Sequence, residues 1–283
     1  MDSRTWFITG ASRGMGLEFA RTALKNGQNV VATARKPQTV IDALGDSEHL
    51  LAVALDVTDL ESIQQAVEAA KERFGGIDIL VNNAGYGIFG ALEETTDAET
   101  RAIYETNVFG PMNVIRAALP QLRASEFARI VNISSMAGYA TDPGGSLYDS
   151  TKFAIVGLTE VLESELAEFG IQCMVVCPGM IRTNFFDGSS LKRASRELPE
   201  YEGSAAHAAL DYCLSHNYLQ HGDPVKVAKL VFDVAMSPKM PLWLPVGKEA
   251  MRKLNKKCER MMQEVAPYYE ASCDTSFPRL EKK

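Results

Sequence analysis

Cysteine is scarce in this chain and basic charge is in deficit. Five cysteines (Cys173, Cys177, Cys213, Cys258 and Cys273) occur among 283 residues, an odd number with no C-x-x-C spacing. That excludes a disulfide framework and a paired-cysteine zinc site, and it is the usage expected of reduced thiols in a cytoplasmic compartment. Lys and Arg total 29 against 36 Asp and Glu, a net charge of −7. A nucleic-acid partner is therefore not expected, because phosphate binding needs clustered cations. No apolar run reaches the length of a membrane span. Ahead of the strand-like Thr5-Trp6-Phe7-Ile8-Thr9 there is no room for a basic and apolar leader. A soluble protein without a membrane partner is the expectation.

The chain does have apolar material: 46% of residues are hydrophobic and 23% charged, enough for one sizeable core. Short runs rich in Val, Ile and Leu recur at Thr5–Thr9, Asn29–Ala34, Leu50–Leu55, Ile77–Val81, Arg129–Ile133 and Ile171–Cys177. They show little polar alternation, as expected of strands buried on both faces of a parallel sheet. A last strand is expected at Pro241–Val246. Helical patterns lie between the strands. In one, Thr58 reads as N-cap with Glu61 reaching back, Ile63, Ala66, Val67, Ala70 and Phe74 line one face, and Gly75-Gly76 ends the helix. This alternation predicts an α/β fold, a single-domain, doubly wound, Rossmann-like parallel sheet of about seven strands with helices on both faces.

Two segments depart from the alternation. Residues 183–222 lack a strand pattern and read as a helical substrate lid. Residues 247–283 read as a C-terminal helical extension, and Arg252, Lys253, Lys256, Lys257 and Arg260 within it as a solvated helix face. His49, His207, His216 and His221 read as surface or lid residues, with no metal site.

The first strand runs into Thr9-Gly10-Ala11-Ser12-Arg13-Gly14-Met15-Gly16. Glycines there let backbone approach a pyrophosphate, and the following helix offers free N–H groups. The second strand would ordinarily end on an acid that holds a ribose hydroxyl, but here it ends Ala34-Arg35-Lys36. Arg35, with Arg13 facing it, suits a 2′-phosphate instead and predicts NADP(H) as coenzyme. Tyr148 and Lys152 are four apart, on one face of a helix. A phenol needs its pKa lowered by about 2–3 units for acid–base work near neutrality. An ammonium at about 4 Å supplies roughly 4 kcal/mol, which matches that requirement. Ser135, at the end of the Arg129–Ile133 strand, places a hydroxyl suited to an oxygen that gains charge.

From Thr5 to about Thr183 the chain resembles the short-chain dehydrogenase/reductase family. The glycine turn is similar to the family's TGxxxGxG. Asp56-Val57 resembles the pair that binds the adenine, and Asn82-Asn83-Ala84-Gly85 the family's NNAG. Asn107, Ser135, Tyr148 and Lys152 resemble its catalytic tetrad. Pro178-Gly179-Met180-Ile181-Arg182-Thr183 resembles the segment beside the nicotinamide. The resemblance implies that Gly10, Ser12, Arg13, Gly14, Met15, Gly16, Arg35, Asp56, Val57, Asn83, Ala84, Gly85, Tyr148, Lys152, Pro178, Gly179, Ile181 and Thr183 bind the coenzyme. It further implies that Tyr148 exchanges a proton with a carbonyl or alcohol, that Lys152 lowers the phenol's pKa, and that Asn107 orders a water beside Lys152. Hydride passes directly, without a metal. Within the family, Ala32-Thr33-Ala34-Arg35 and Asn83-Ala84-Gly85-Tyr86-Gly87 resemble the branch containing hydroxysteroid and retinol dehydrogenases. Asp149, directly after the tyrosine, departs from the small residues common there.

Phe185, Phe186, Leu191, Leu198, Tyr201, Leu210, Tyr212, Leu214, Tyr218 and Leu219 in the lid point to a bulky hydrophobic ketone or alcohol, such as a steroid. An epimerase or dehydratase on the same fold, or a nucleotide-sensing regulator, are the alternatives. The family's habit implies a homodimer or homotetramer through the helices carrying Asn107 and Tyr148.

Overall fold

A computed structural model of the chain describes residues 3–277; the last six residues of the expected 247–283 extension lie outside them. The elements run β1 (Thr5–Ile8), α1 (Gly14–Lys25), β2 (Asn29–Ala34), α2 (Gln38–Leu44), β3 (Leu50–Ala54), α3 (Leu60–Phe74), β4 (Ile79–Asn82), β5 (Gly87–Phe89) and α4 (Asp97–Tyr104). Then come α5 (Gly110–Ala124), β6 (Arg129–Ile133), α6 (Ser146–Leu166), β7 (Gln172–Pro178), β8 (Leu191–Arg193), α7 (Ala205–Ser215), α8 (Pro224–Ala235), β9 (Trp243–Val246), α9 (Lys248–Val265) and α10 (Tyr269–Cys273).

Seven strands form one sheet in the order β3-β2-β1-β4-β6-β7-β9, with every pair parallel. Successive residues of β1 serve opposite faces, as the pleat requires. Trp6 and Ile8 join the layer that holds Phe19, Val227 and Val231 from α1 and α8. Phe7 joins the layer that holds Ile63, Val67, Val114, Leu122 and Leu162 from α3, α5 and α6. Both faces are thus dry, which is why these strands read as continuous apolar runs rather than alternating ones. Trp6 stacks on Phe232 at 5.3 Å between ring centroids. The chain winds outward from β1 to β3 and then returns to β4, so a crevice opens at the carboxyl ends of β1 and β4, where such folds take their ligands.

Three expectations need correction. The cap of α3 is Asp59, whose carboxylate accepts from the N–H groups of Glu61 and Ser62 at 2.9 and 3.4 Å. Thr58 is not free for that task, since its N–H and hydroxyl both donate to Asp56 Oδ1, at 2.9 and 2.7 Å. The fourth and sixth main-sheet strands are shifted toward the C-terminus, to Ile79–Asn82 and Gln172–Pro178, and the last begins at Trp243. The 183–222 segment also contains a strand: β8 pairs in parallel with β5. That segment starts and ends at one point. Arg182 N donates to Gly222 O at 2.8 Å, and Gly222 N to Met180 O at 3.1 Å. No helix among the described residues is long and apolar enough to cross a membrane.

Candidate active site

A cavity of about 1020 Å³ occupies the crevice, at the upper end of the range for small-molecule sites. Its floor is the turn between β1 and α1. Gly10 has φ +67°, and a Cβ there would lie 3.0 Å from Ala84 Cα; Gly14 has φ +57°. Both positions favour glycine. Gly16 lies behind the turn, where a Cβ would collide with Gly10 O and Asn83. Thr9 ties the turn to β4, its hydroxyl accepting from Asn83 N and Ala84 N at 2.9 and 3.0 Å. Asn83 Nδ2 donates back to Thr9 O and Gly10 O at 3.0 and 3.1 Å. No side chain caps the N-terminus of α1, so its first amides are free for an anion. Residues without side chains beside an uncapped helix start fit a dinucleotide pyrophosphate.

Arg35, Asp56 and Val57 line the end of the cavity reached by β2 and β3. Hydrogen bonds from Thr58 hold the Asp56 carboxyl below its ordinary range, and the Arg35 charge adds to the effect. Arg13 does not face Arg35 as a free pair. Its guanidinium donates to Ser189 Oγ, Ser189 O and Ser190 Oγ at 2.5, 3.1 and 2.9 Å, and so ties the glycine turn to the lid.

Ser135, Tyr148 and Lys152 meet at the other end, beside Gly85, Pro178, Gly179, Ile181 and Thr183. Ser135 Oγ accepts from Ala137 N at 3.1 Å, which leaves its own proton to donate. Lys152 Nζ donates to Ile133 O at 3.0 Å and lies 5.5 Å from the Tyr148 ring centroid. Burial pushes Lys152 down to about 8. Burial also drives Tyr148 above its ordinary range, with the Asp149 charge adding to the rise and a bond to Ser135 opposing it. Where spacing predicts a phenol lowered by its lysine, burial is the largest influence on both groups and favours the neutral form of each.

Asn107 is not on the cavity wall. It sits in the π-helical turn Glu105–Phe109, and its side chain is fully engaged. Nδ2 donates to Tyr86 O and Thr151 Oγ1 at 2.8 and 3.1 Å, while Oδ1 accepts from Tyr86 N at 3.1 Å. The side chain therefore clamps α6 to the Asn83–Tyr86 turn. It sits beside Gly85, where a Cβ would be 3.1 Å from Asn107 Oδ1 and 3.8 Å from Lys152 Nζ.

The remaining walls combine aromatic and apolar side chains with a charged rim that includes Asp142, Lys192, Glu249 and Lys253. Tyr86, Phe89, Met136, Phe185, Phe186 and Tyr212 line the cavity, and the Phe89 and Phe185 rings each lie 5.6 Å from that of Tyr148. Of the other lid residues, Leu191 and Leu210 pack beneath the lid, Leu198 caps the turn Pro199–Tyr201, Tyr201 bonds Glu93, and Leu214, Tyr218 and Leu219 face solvent. His207 is a lid residue, yet it is not simply solvated: Nε2 lies 2.8 Å from the buried Glu94 carboxylate, which also accepts from Leu198 N at 3.1 Å. Lys253 departs from a solvated helix face, since it reaches Asp142 at 2.5 Å on the cavity rim. Glu94 carries no local signal in the sequence, nor does Glu249, which also lines the cavity; Tyr86 and Phe89 are the apolar continuation of Asn83-Ala84-Gly85.

A dinucleotide cradle opening onto a buried Tyr–Lys–Ser group defines a coenzyme-dependent oxidoreductase. The family model "short chain dehydrogenase" matches residues 4–194, and the chain belongs to that family, whose fold binds a nicotinamide coenzyme. It is 38% identical over 259 residues to an oxidoreductase of Botryotinia fuckeliana, covering 91% of this chain and 93% of that protein. A short-chain dehydrogenase from Streptomyces avermitilis superposes with TM-score 0.88 at 35% identity, covering 98% and 100% of the two chains. A Burkholderia phymatum short chain dehydrogenase/reductase in complex with NAD gives 0.80 at 25% identity, covering 99% of each.

Proposed function

We propose that the protein is an NADP(H)-dependent oxidoreductase that interconverts a ketone and a secondary alcohol on a bulky hydrophobic substrate, for which a hydroxysteroid is a good candidate. The observation that carries this reading is the meeting of the Ser135 hydroxyl and the buried Tyr148 phenol under an apolar lid. The bound coenzyme supplies or accepts the hydride at the substrate carbon. Burial keeps the Tyr148 phenol protonated, which suits donation to a carbonyl oxygen. Ser135 donates to that same oxygen as charge builds on it. Lys152 brings a positive charge close to the phenolate that remains, and Asn107 positions the helix bearing both groups.

Arg35 favours the 2′-phosphate of NADP(H) by charge and by the lack of an acid after β2. The aromatic walls around Tyr148 favour a large apolar body next to the reacting carbon, with the charged groups confined to the rim. Residues 183–222 act as the lid and 247–283 as an extension of the same domain. Exposed Phe109, Phe153, Val161 and Phe169 on and beside α5 and α6 support a homodimer or homotetramer through those helices. Free, buried Cys173 and Cys177 suit a reducing, cytoplasmic setting. Nicotinamide absorbance with steroid ketones, aryl ketones and sugars tests the reading. Turnover is expected to be highest on the steroids; highest kcat/KM on a small sugar overturns it.

A further inference from the structure

Helix α9 leaves the body of the protein with one apolar face uncovered. On a helical projection, Met251, Leu254, Cys258, Met261 and Val265 fall at alternating spacings of three and four, a single seam. The helix is anchored at its start, where Ala250 is buried and Leu254 packs against the Tyr139–Trp243 cluster, although Met251 is 46% exposed. The second part has no such cover among the described residues. Met261 is 50% exposed, Met262 69%, Val265 52% and Tyr268 68%. A stripe of exposed apolar side chains along a long helix is the feature of an interaction surface.

The charges beside the seam identify its occupant. With Met251, Cys258 and Val265 at a positions and Leu254 and Met261 at d, Lys257 and Glu264 fall at g, and Asn255 and Met262 at e. In a parallel pair g faces e of the other helix, which would set Lys257 against Met262 and Glu264 against Tyr269. In an antiparallel pair g faces g. Pairing Cys258 with Met261, which brings Val265 only to the outer edge of the half-buried Leu254, then sets Lys257 opposite Glu264, twice by symmetry. Both charges are satisfied in the register that buries the seam. We infer that α9 pairs antiparallel with α9 of a second copy of this chain, forming an isologous contact. A lipid surface fits less well, because a membrane-surface helix sets Lys and Arg against anionic headgroups, whereas this polar face mixes them with Glu249, Glu259 and Glu264.

Sedimentation of the full chain tests the inference, with catalytic turnover followed in parallel. Met261→Glu is expected to halve the assembly mass while leaving turnover unchanged, because the residue lies outside the cavity wall. Lys257→Glu is expected to weaken assembly up to about thirtyfold, since two ion pairs of at most about 1 kcal/mol each are lost. Adding Glu264→Lys to that variant should restore the wild-type value. Equal mass for wild type and Met261→Glu overturns the proposal, as does failure of the double charge exchange to restore assembly. Loss of binding to phosphatidylserine vesicles in Met261→Glu at unchanged mass also overturns it, in favour of a lipid partner.

Discussion

Replacing Arg35 by Ala should separate the two coenzymes, because they differ by one phosphate on the adenosine ribose. Arg35 follows β2 directly and lines the cavity beside Asp56, where an acid would instead repel that phosphate. A hydrogen bond to a charged partner contributes about 1.5–3 kcal/mol. Arg35 is exposed, so the low end applies, and every 1.4 kcal/mol is about tenfold in affinity. Titration of NADPH into Arg35→Ala should therefore give a Kd about tenfold weaker than wild type, with NADH barely affected. The difference should shrink with added salt, as for any exposed charge. Arg13→Ala should weaken NADPH binding less, because its guanidinium is held by Ser189 and Ser190. Equal wild-type affinity for NADPH and NADH would refute the reasoning.

Reductive turnover should decline above a pH of about 8, where buried Lys152 loses its charge, and should hold below it; a pH–rate profile flat from 7 to about 10 rules this out. Burial raises Asp149 to about 7, so between its ordinary range and that value the folded chain binds more protons than the unfolded one. Stability should fall as pH rises through this window, and Asp149→Asn should flatten the dependence in thermal melts, a slope unchanged from wild type being the adverse result. Glu94→Ala removes the acceptor shared by His207 and Leu198; it should loosen the lid, seen as a raised KM for bulky substrates and faster proteolysis within residues 183–222. Unchanged KM and cleavage would show that the lid is held elsewhere.

The main sheet is legible because its strands are covered on both faces, and that condition forces uninterrupted apolar runs such as Ile79–Val81. The pair β5 and β8 is not, since Gly-Ile-Phe and Leu-Lys-Arg are three residues each and gain their strand character only from each other. The cap of α3 is not legible locally, because Thr58 and Asp59 are both N-cap residue types; the Asp56 carboxylate, which captures Thr58, decides between them. The site's chemical groups were visible as residue types at fixed spacing, but their electrostatics were not. Charge attraction between Tyr148 and Lys152 can be reckoned from spacing, whereas the loss of water around both depends on Phe89, Phe185 and the lid. Long-range ties such as Arg13 to Ser189 and Lys253 to Asp142 follow from the folded path alone.

Tyr148→Phe tests the central claim most directly. The change removes the proton-bearing oxygen and keeps the ring that packs between Phe89 and Phe185. With NADPH and a bulky ketone, turnover should fall by about 10² to 10⁴, while the NADPH Kd and melting temperature stay close to wild type. Turnover within threefold of wild type would contradict the account.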